Sequence, residues 1–196
     1  EQGFYKKAES YYQQALAIPP AVKGDSGYSM ATTRSNLAQA ILRQGRFSEA
    51  IQLQREALSF YRTTLEDSRL QQSTLLANIA FSQTLLGQRA QALQSLEQAI
   101  AIKQKLLGSS HAEAARLMLS LGALKEEMGD LKGALEASEE ALRDLSELLG
   151  PENLGTAFAM QRLSEIARET GLAAQAKEWS QSALKVRQRQ LPENHP

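Results

Sequence analysis

Residues 36–58 read NLAQAILRQGRFSEAIQLQREAL. Two apolar-periodic runs flank Gly45, so the stretch reads as a helix, a tight turn and a second helix. A residue just past a helix end often turns left-handed, a conformation that costs glycine nothing. The unit then recurs. Gly3, Gly45, Gly87, Gly129 and Gly171 stand 42 residues apart. Ala8, Ala50, Ala92, Ala134 and Ala176 keep the same step, as do Ala15, Ala57, Ala99, Ala141 and Ala183. Beside the last set stand Leu16, Leu58, Ile100, Leu142 and Leu184. Residues of fixed type at a fixed period mean one structural unit repeated along the chain.

Helical spacing continues outward. Leu76, Ile79, Ala80 and Leu86 share one face of 71–86, and Leu131, Ala134, Leu135, Ala141, Leu142 and Leu145 share one face of 131–148. The spacing predicts a lone helix near 4–18, then pairs 28–44 with 47–64, 70–86 with 89–107, 112–128 with 131–149, and 154–170 with 173–190. Pro19, Pro20, Pro151, Pro192 and Pro196 all fall outside these helices, where a missing amide hydrogen does least harm. Ala38, Ala80, Gly122 and Ser164 form a column of small residues on the first helix of each pair, flanked by Leu37, Ile79, Leu121 and Leu163. Set against the Ala50 column, they let two helix axes approach closely.

Composition narrows the function. The 196 residues carry 22 basic and 22 acidic side chains and no cysteine, which removes disulfides, zinc–thiolate sites and cysteine nucleophiles together. No apolar run approaches the ~18 residues of a membrane span, and the N-terminus lacks the order of a signal peptide. The chain does not start with methionine, so we expect an excerpt of a longer protein, and a cytoplasmic one. No basic stripe tracks phosphates, which argues against nucleic acid. Residues 111–172 hold 6 basic and 12 acidic side chains, either a solvated face or an attraction for a basic ligand.

Chemistry is absent from the pattern. His111 and His195 lie in separate turns with Asn153 between them in the same column, and they read as residues that cap the following helix. Adjacent carboxylates such as Glu126–Glu127 and Glu139–Glu140 diverge by ~100° on a helix and cannot pair as acid and base. No phosphate loop or nucleophile elbow is present. The segment reads as no enzyme and needs no cofactor or metal.

Asn36-Leu37-Ala38, then Gly45, Ala50 and Ala57-Leu58, resembles a tetratricopeptide repeat, in the long 42-residue form found in kinesin light chains. Leu106 to His111, Leu148 to Asn153 and Leu191 to Pro196 resemble that family's inter-repeat turn. The resemblance implies an all-α, right-handed superhelical α-solenoid of antiparallel helix pairs. It divides the chain into a half repeat at 1–27, repeats at 28–69, 70–111 and 112–153, and a fourth at 154–196 that includes the start of the next turn.

In such arrays the first helices line a concave groove that binds peptides. By resemblance the groove residues are Asn36, Gln39 and Arg43 in the first repeat, Asn78, Phe81 and Leu85 in the second, Leu119 and Glu127 in the third, and Arg162, Glu165 and Glu169 in the fourth, with Ser35, Ala77, Ser120, Ala123 and Gln161 beside them. Asn36 and Asn78 match an asparagine that reaches the ligand backbone; Ser120 and Arg162 replace it later. Of the family's clamp for acidic chaperone tails only Asn78 and Arg116 match, so that clamp is absent. Helix geometry adds that Ala77, Phe81 and Leu85 make a second apolar stripe, which must meet the next repeat or a ligand. The expected partner is a protein segment with an apolar anchor on Phe81, Leu85 and Leu119 and basic residues at Glu127, Glu165 and Glu169. The competing readings are a spacer that associates end to end and the regulatory arm of an enzyme whose catalytic domain lies elsewhere.

Overall fold

The computed structural model describes residues 2–18, 27–64, 68–108 and 111–190. Pro19, Pro20, Pro192, Pro196, His195 and the turn from Leu191 lie outside the described residues. Among the described residues the chain is helical throughout and has no strand. In order the helices are α1 (Gln2–Ala17), α2 (Tyr28–Leu42), α3 (Phe47–Thr64), α4 (Arg69–Leu85), α5 (Arg89–Leu107), α6 (Ala112–Glu127), α7 (Leu131–Leu149), α8 (Leu154–Glu169) and α9 (Ala173–Gln190). The second helix of each expected pair has the bounds read from spacing, while each first helix stops one or two residues early. The turn explains this, because it takes over the last residues. Leu86, expected on the core face, leaves the helix as its C-cap and is exposed.

Each intra-repeat turn closes on its own backbone. The Gly87 amide donates to Thr84 O (2.9 Å) and the Gln88 amide to Gln83 O (2.9 Å), satisfying carbonyls the helix would otherwise orphan. That pattern needs a positive φ at Gly87, and it is +72°. Between the later repeats α6 and α8 start on side-chain caps, which α2 and α4 lack. His111 Nδ1 accepts the Glu113 amide (3.2 Å) and Asn153 Oδ1 accepts the Gly155 amide (2.8 Å). His111 and Asn153 therefore both act as caps, while Gly27 and Arg69 of the same column do not cap through a side chain.

The chain divides into two compact units, Glu1–Ile102 and Lys103–Pro196. In the first, Leu37, Ala38, Ile41, Leu42 and Ala50 form a core on which Tyr12, Leu16, Phe47 and Leu53 pack. Ser73 Oγ donates to Ala99 O (2.8 Å) and ties α4 to α5. In the second, Leu145, Leu163 and Ile166 are fully buried, and Ala157, Ala183 and Val186 cluster with Met160. The alanine columns do the expected work: from Ala50 onward every member is at most 4% exposed. Between α6 and α7 the fit is close, since a Cβ on Gly122 would collide with Ser138 Oγ and stand 3.1 Å from Ala134 O. Helix propensity favours alanine there, and backbone proximity overrides it.

Candidate interaction site

Each unit holds a trough between the first helices of successive repeats. In the first unit, α2 supplies Tyr28, Thr32 and Ser35, α4 supplies Leu70, Gln71, Thr74 and Leu75, and Tyr61 closes one side of a cavity of about 280 Å³. Several of its polar groups pair with one another, while Gln71 Oε1 is buried without a hydrogen bond. Thr32 Oγ1 lies 3.0 Å from Tyr61 Oη, and Gln71 Nε2 donates to Tyr28 Oη (3.5 Å). The Tyr28 and Tyr61 rings meet edge to face at 5.8 Å.

In the second unit the same backbone positions are filled otherwise. Arg116, Leu119, Ser120 and Ala123 of α6 face Gly155, Phe158 and Arg162 of α8 across a cavity of about 460 Å³. Leu119 is buried and forms the floor, whereas Phe158 is 50% exposed. The Arg162 guanidinium donates to both Glu126 and Glu165, bracing α8 against α6, and Gln161 Nε2 donates to the other Glu165 oxygen (3.1 Å). Arg116, one turn before the floor, is exposed and has no ion pair within 4.0 Å among the described residues. Its neighbour Glu113 is held by the buried Lys103, whose hydrogen bond and charge keep that carboxyl below its ordinary value. In the first unit Glu9 is likewise held down, by hydrogen bonds from Gln44 and then Arg46. Asp144 of α7 moves the other way: burial, then the Glu140 and Glu147 charges, push its carboxyl up.

The groove residues expected from sequence fall as follows. Leu119 and Arg162 line the second trough, with Ser120 and Ala123 beside them, and Ser35 lines the first. Asn36 on α2 and Arg43, the C-cap of that helix, are exposed, with Gln39 and Asn78 half-buried. Phe81 (54%) and Leu85 (48%) form an exposed apolar ridge on α4. Glu127 and Glu169 are exposed near the ends of α6 and α8, and Glu165 is half-buried against Arg162. The sequence reading passed over Thr32, Thr74 and Phe158, which share a 42-residue column with Arg116. All four of these residues line a trough. They stand four residues before the Asn36 column, one helical turn along the same face, and that spacing was the available signal.

The family model of the tetratricopeptide repeat matches residues 1–63, 70–144 and 113–189. The chain belongs to the tetratricopeptide-repeat family. This tetratricopeptide array shares its fold with a Podospora anserina putative kinesin light chain of nearly identical repeats, at 22% identity over 95% of this chain and 88% of that one, with a TM-score of 0.81. BtubC from P. vanneervenii is similar at 18% identity over 100% of this chain and 75% of that one, with a TM-score of 0.79. Aspartyl phosphate phosphatase F from Bacillus subtilis is similar at 16% identity over 95% of this chain and 45% of that one, with a TM-score of 0.77. No protein of curated function matches the sequence. Tetratricopeptide repeats generally mediate protein–protein interaction, and the family is generally a non-catalytic scaffold. Among the described residues no helix is long and apolar enough to cross a membrane.

Proposed function

We propose that the array is a protein-interaction module that holds an extended segment of another protein against its first helices, with an apolar side chain of that segment as anchor. The half-exposed Phe158 over the Leu119–Ala123 floor carries this reading. A large ring kept partly in water beside a concave apolar surface is the usual form of an interface hot spot. In the first unit Phe81 and Leu85 offer a second apolar station, with Asn36 and Asn78 as amides able to donate to and accept from a peptide backbone. Glu127, Glu165 and Glu169 supply the carboxylates that would meet basic residues of the segment.

The test is a displayed peptide library panned on the chain, followed by titration of the captured peptides. Phe158→Ala or Phe81→Ala, both exposed, is expected to leave folding intact and weaken binding by ~1–3 kcal/mol. If neither substitution weakens capture and the chain instead grows in size with concentration, the end-to-end spacer takes its place.

A further inference from the structure

Within the second unit, α8 is seated on the α6–α7 hairpin. Thr156 Oγ1 donates to Leu145 O (3.2 Å), Arg162 donates to Glu126, and Leu145 is fully buried. The α8–α9 hairpin repeats that seat, and among the described residues no helix fills it. It forms a cavity of about 560 Å³ in which Leu184 is 56% exposed. In the first unit Leu16, at the same place of the repeat, packs against the core that α2 supplies.

Charge sets this seat apart. Arg168, Lys177 and Arg187 line it, and none of the three has an ion pair within 4.0 Å among the described residues. Glu165 is the acid among the lining residues, and its two oxygens already accept from Arg162 and Gln161. Equivalent positions elsewhere show what each cation would meet. Arg187 stands at the place of Lys103, which bonds Glu113 in the first turn of the following helix, α6. Arg168 stands where α6 has Glu126, the partner of Arg162 on α8. The sign at that place is reversed, so its match on a seated helix is an acid. Lys177 stands where α1 has Glu9, the partner of Arg46, and is reversed as well.

We propose that the open seat on α8 and α9 takes an acidic amphipathic helix of a partner protein. The places of Glu113 and Arg162 lie seven residues apart within a first helix, two turns along one face. The seated helix carries an acid at each, and the first of them also suits the positive end of the helix dipole. Apolar residues follow at the places of Leu37 and Ile41, which belong to the cluster against which Tyr12 and Leu16 of α1 pack. A second copy of the chain does not fit. At the two acid places its first helices have Ser29 with Asn36, Gln71 with Asn78, Glu113 with Ser120, and Gly155 with Arg162. The exposed Lys6 and Lys7 of α1 would add to a rim that is already basic.

The probe is a labelled helical peptide, stapled on its polar face, with glutamates at the two acid places and leucines at the two apolar ones. A control peptide has lysines in place of the glutamates. The wild-type chain is expected to bind the glutamate peptide about tenfold tighter than the lysine one, and less tightly as salt rises. Arg168→Glu combined with Arg187→Glu is expected to reverse that order, with the melting curve showing that the chain is still folded. Equal binding of the two peptides, no binding, or an order untouched by the double substitution would overturn the proposal. Loss of binding on Phe158→Ala but not on the double substitution would place the peptide in the α6–α8 trough and overturn it too. Self-association of the chain that Leu184→Asp abolishes would make the occupant a second copy, with the same consequence.

Discussion

The two troughs occupy equivalent positions of one repeat and have opposite chemistry. Where the first has Thr32, Ser35 and Thr74, the second has Arg116, Leu119 and Phe158, each at a multiple of 42 residues. The first ties Thr32 to Tyr61 and Tyr28 to Gln71, while the second leaves an exposed ring and an exposed guanidinium. The repeat therefore conserves backbone and helix contacts within the chain and lets the groove column vary. Such a division suits a binding surface, since three substitutions change the ligand chemistry without moving a helix.

The comparison can be broken hardest beneath the troughs. Tyr61 and Leu145 share one column, and Leu145 is fully buried. Leu145→Ala should cost about 2–5 kcal/mol in chemical denaturation, because a rigid site leaves a cavity. Tyr61→Phe, which removes only the hydroxyl beside Thr32, should cost about 1 kcal/mol. No loss on Tyr61→Phe would show that the first trough is held by packing and not by its hydroxyls. A second column sharpens the contrast. Gln54 is fully buried with neither amide atom hydrogen-bonded, where the next repeat has Leu96 and the one after it Ser138, also unbonded. Gln54→Leu should stabilise by about 1–2 kcal/mol, the desolvation of an unpaired amide. A lower melting temperature would mean that the amide has a structural use.

The smallest effect is on pH. Glu9 in the first unit and Glu113 in the second have carboxyls held below the ordinary 4.5, so each contributes stability above that pH and loses it as pH falls below. Asp144, in the second unit only, has the reverse sign, since its folded carboxyl sits above the ordinary 3.8 and its charge destabilises the fold until acid removes it. Melting curves between pH 7 and pH 3 should show Glu9→Gln lowering stability at neutral pH and flattening its acid loss. Asp144→Asn should raise stability at neutral pH. A fall at neutral pH on Asp144→Asn would reverse the sign assigned to that group.

Architecture was readable because it lives in columns: glycines at turns, alanines at helix contacts, His111 and Asn153 at caps. Each of these residues is dictated by its own backbone or by one neighbouring helix. The second stripe through Phe81 and Leu85 was readable otherwise, from the i, i+4, i+8 spacing of Ala77, Phe81 and Leu85 within one helix. Phe158 was not, because its column holds threonine, threonine and arginine elsewhere, and a single ring in a varied column carries no periodic signal. The bracing of Arg162 was hidden differently. Several polar contacts between repeats join residues 35–37 apart, as in Glu9 with Gln44 and Arg46, Arg62 with Gln98, Glu126 with Arg162, and Glu152 with Arg189. Such pairs fall short of the 42-residue period by the advance of the helix face, so aligning equivalent positions separates the partners.

The self-closed glycine turns bear on how such a chain can change in length. Each turn closes its backbone hydrogen bonds within six residues, from Ile41 to Arg46, Gln83 to Gln88, Lys125 to Asp130 and Ala167 to Leu172, with no backbone bond to the neighbouring hairpin. Recombination between two such turns removes or adds 42 residues and rejoins identical geometry at the seam. An insertion of any other size would rotate every downstream side chain about its helix and expose the alanine columns. Gene-level gain and loss should therefore be quantised in whole repeats, and groove chemistry would be shuffled as complete hairpins.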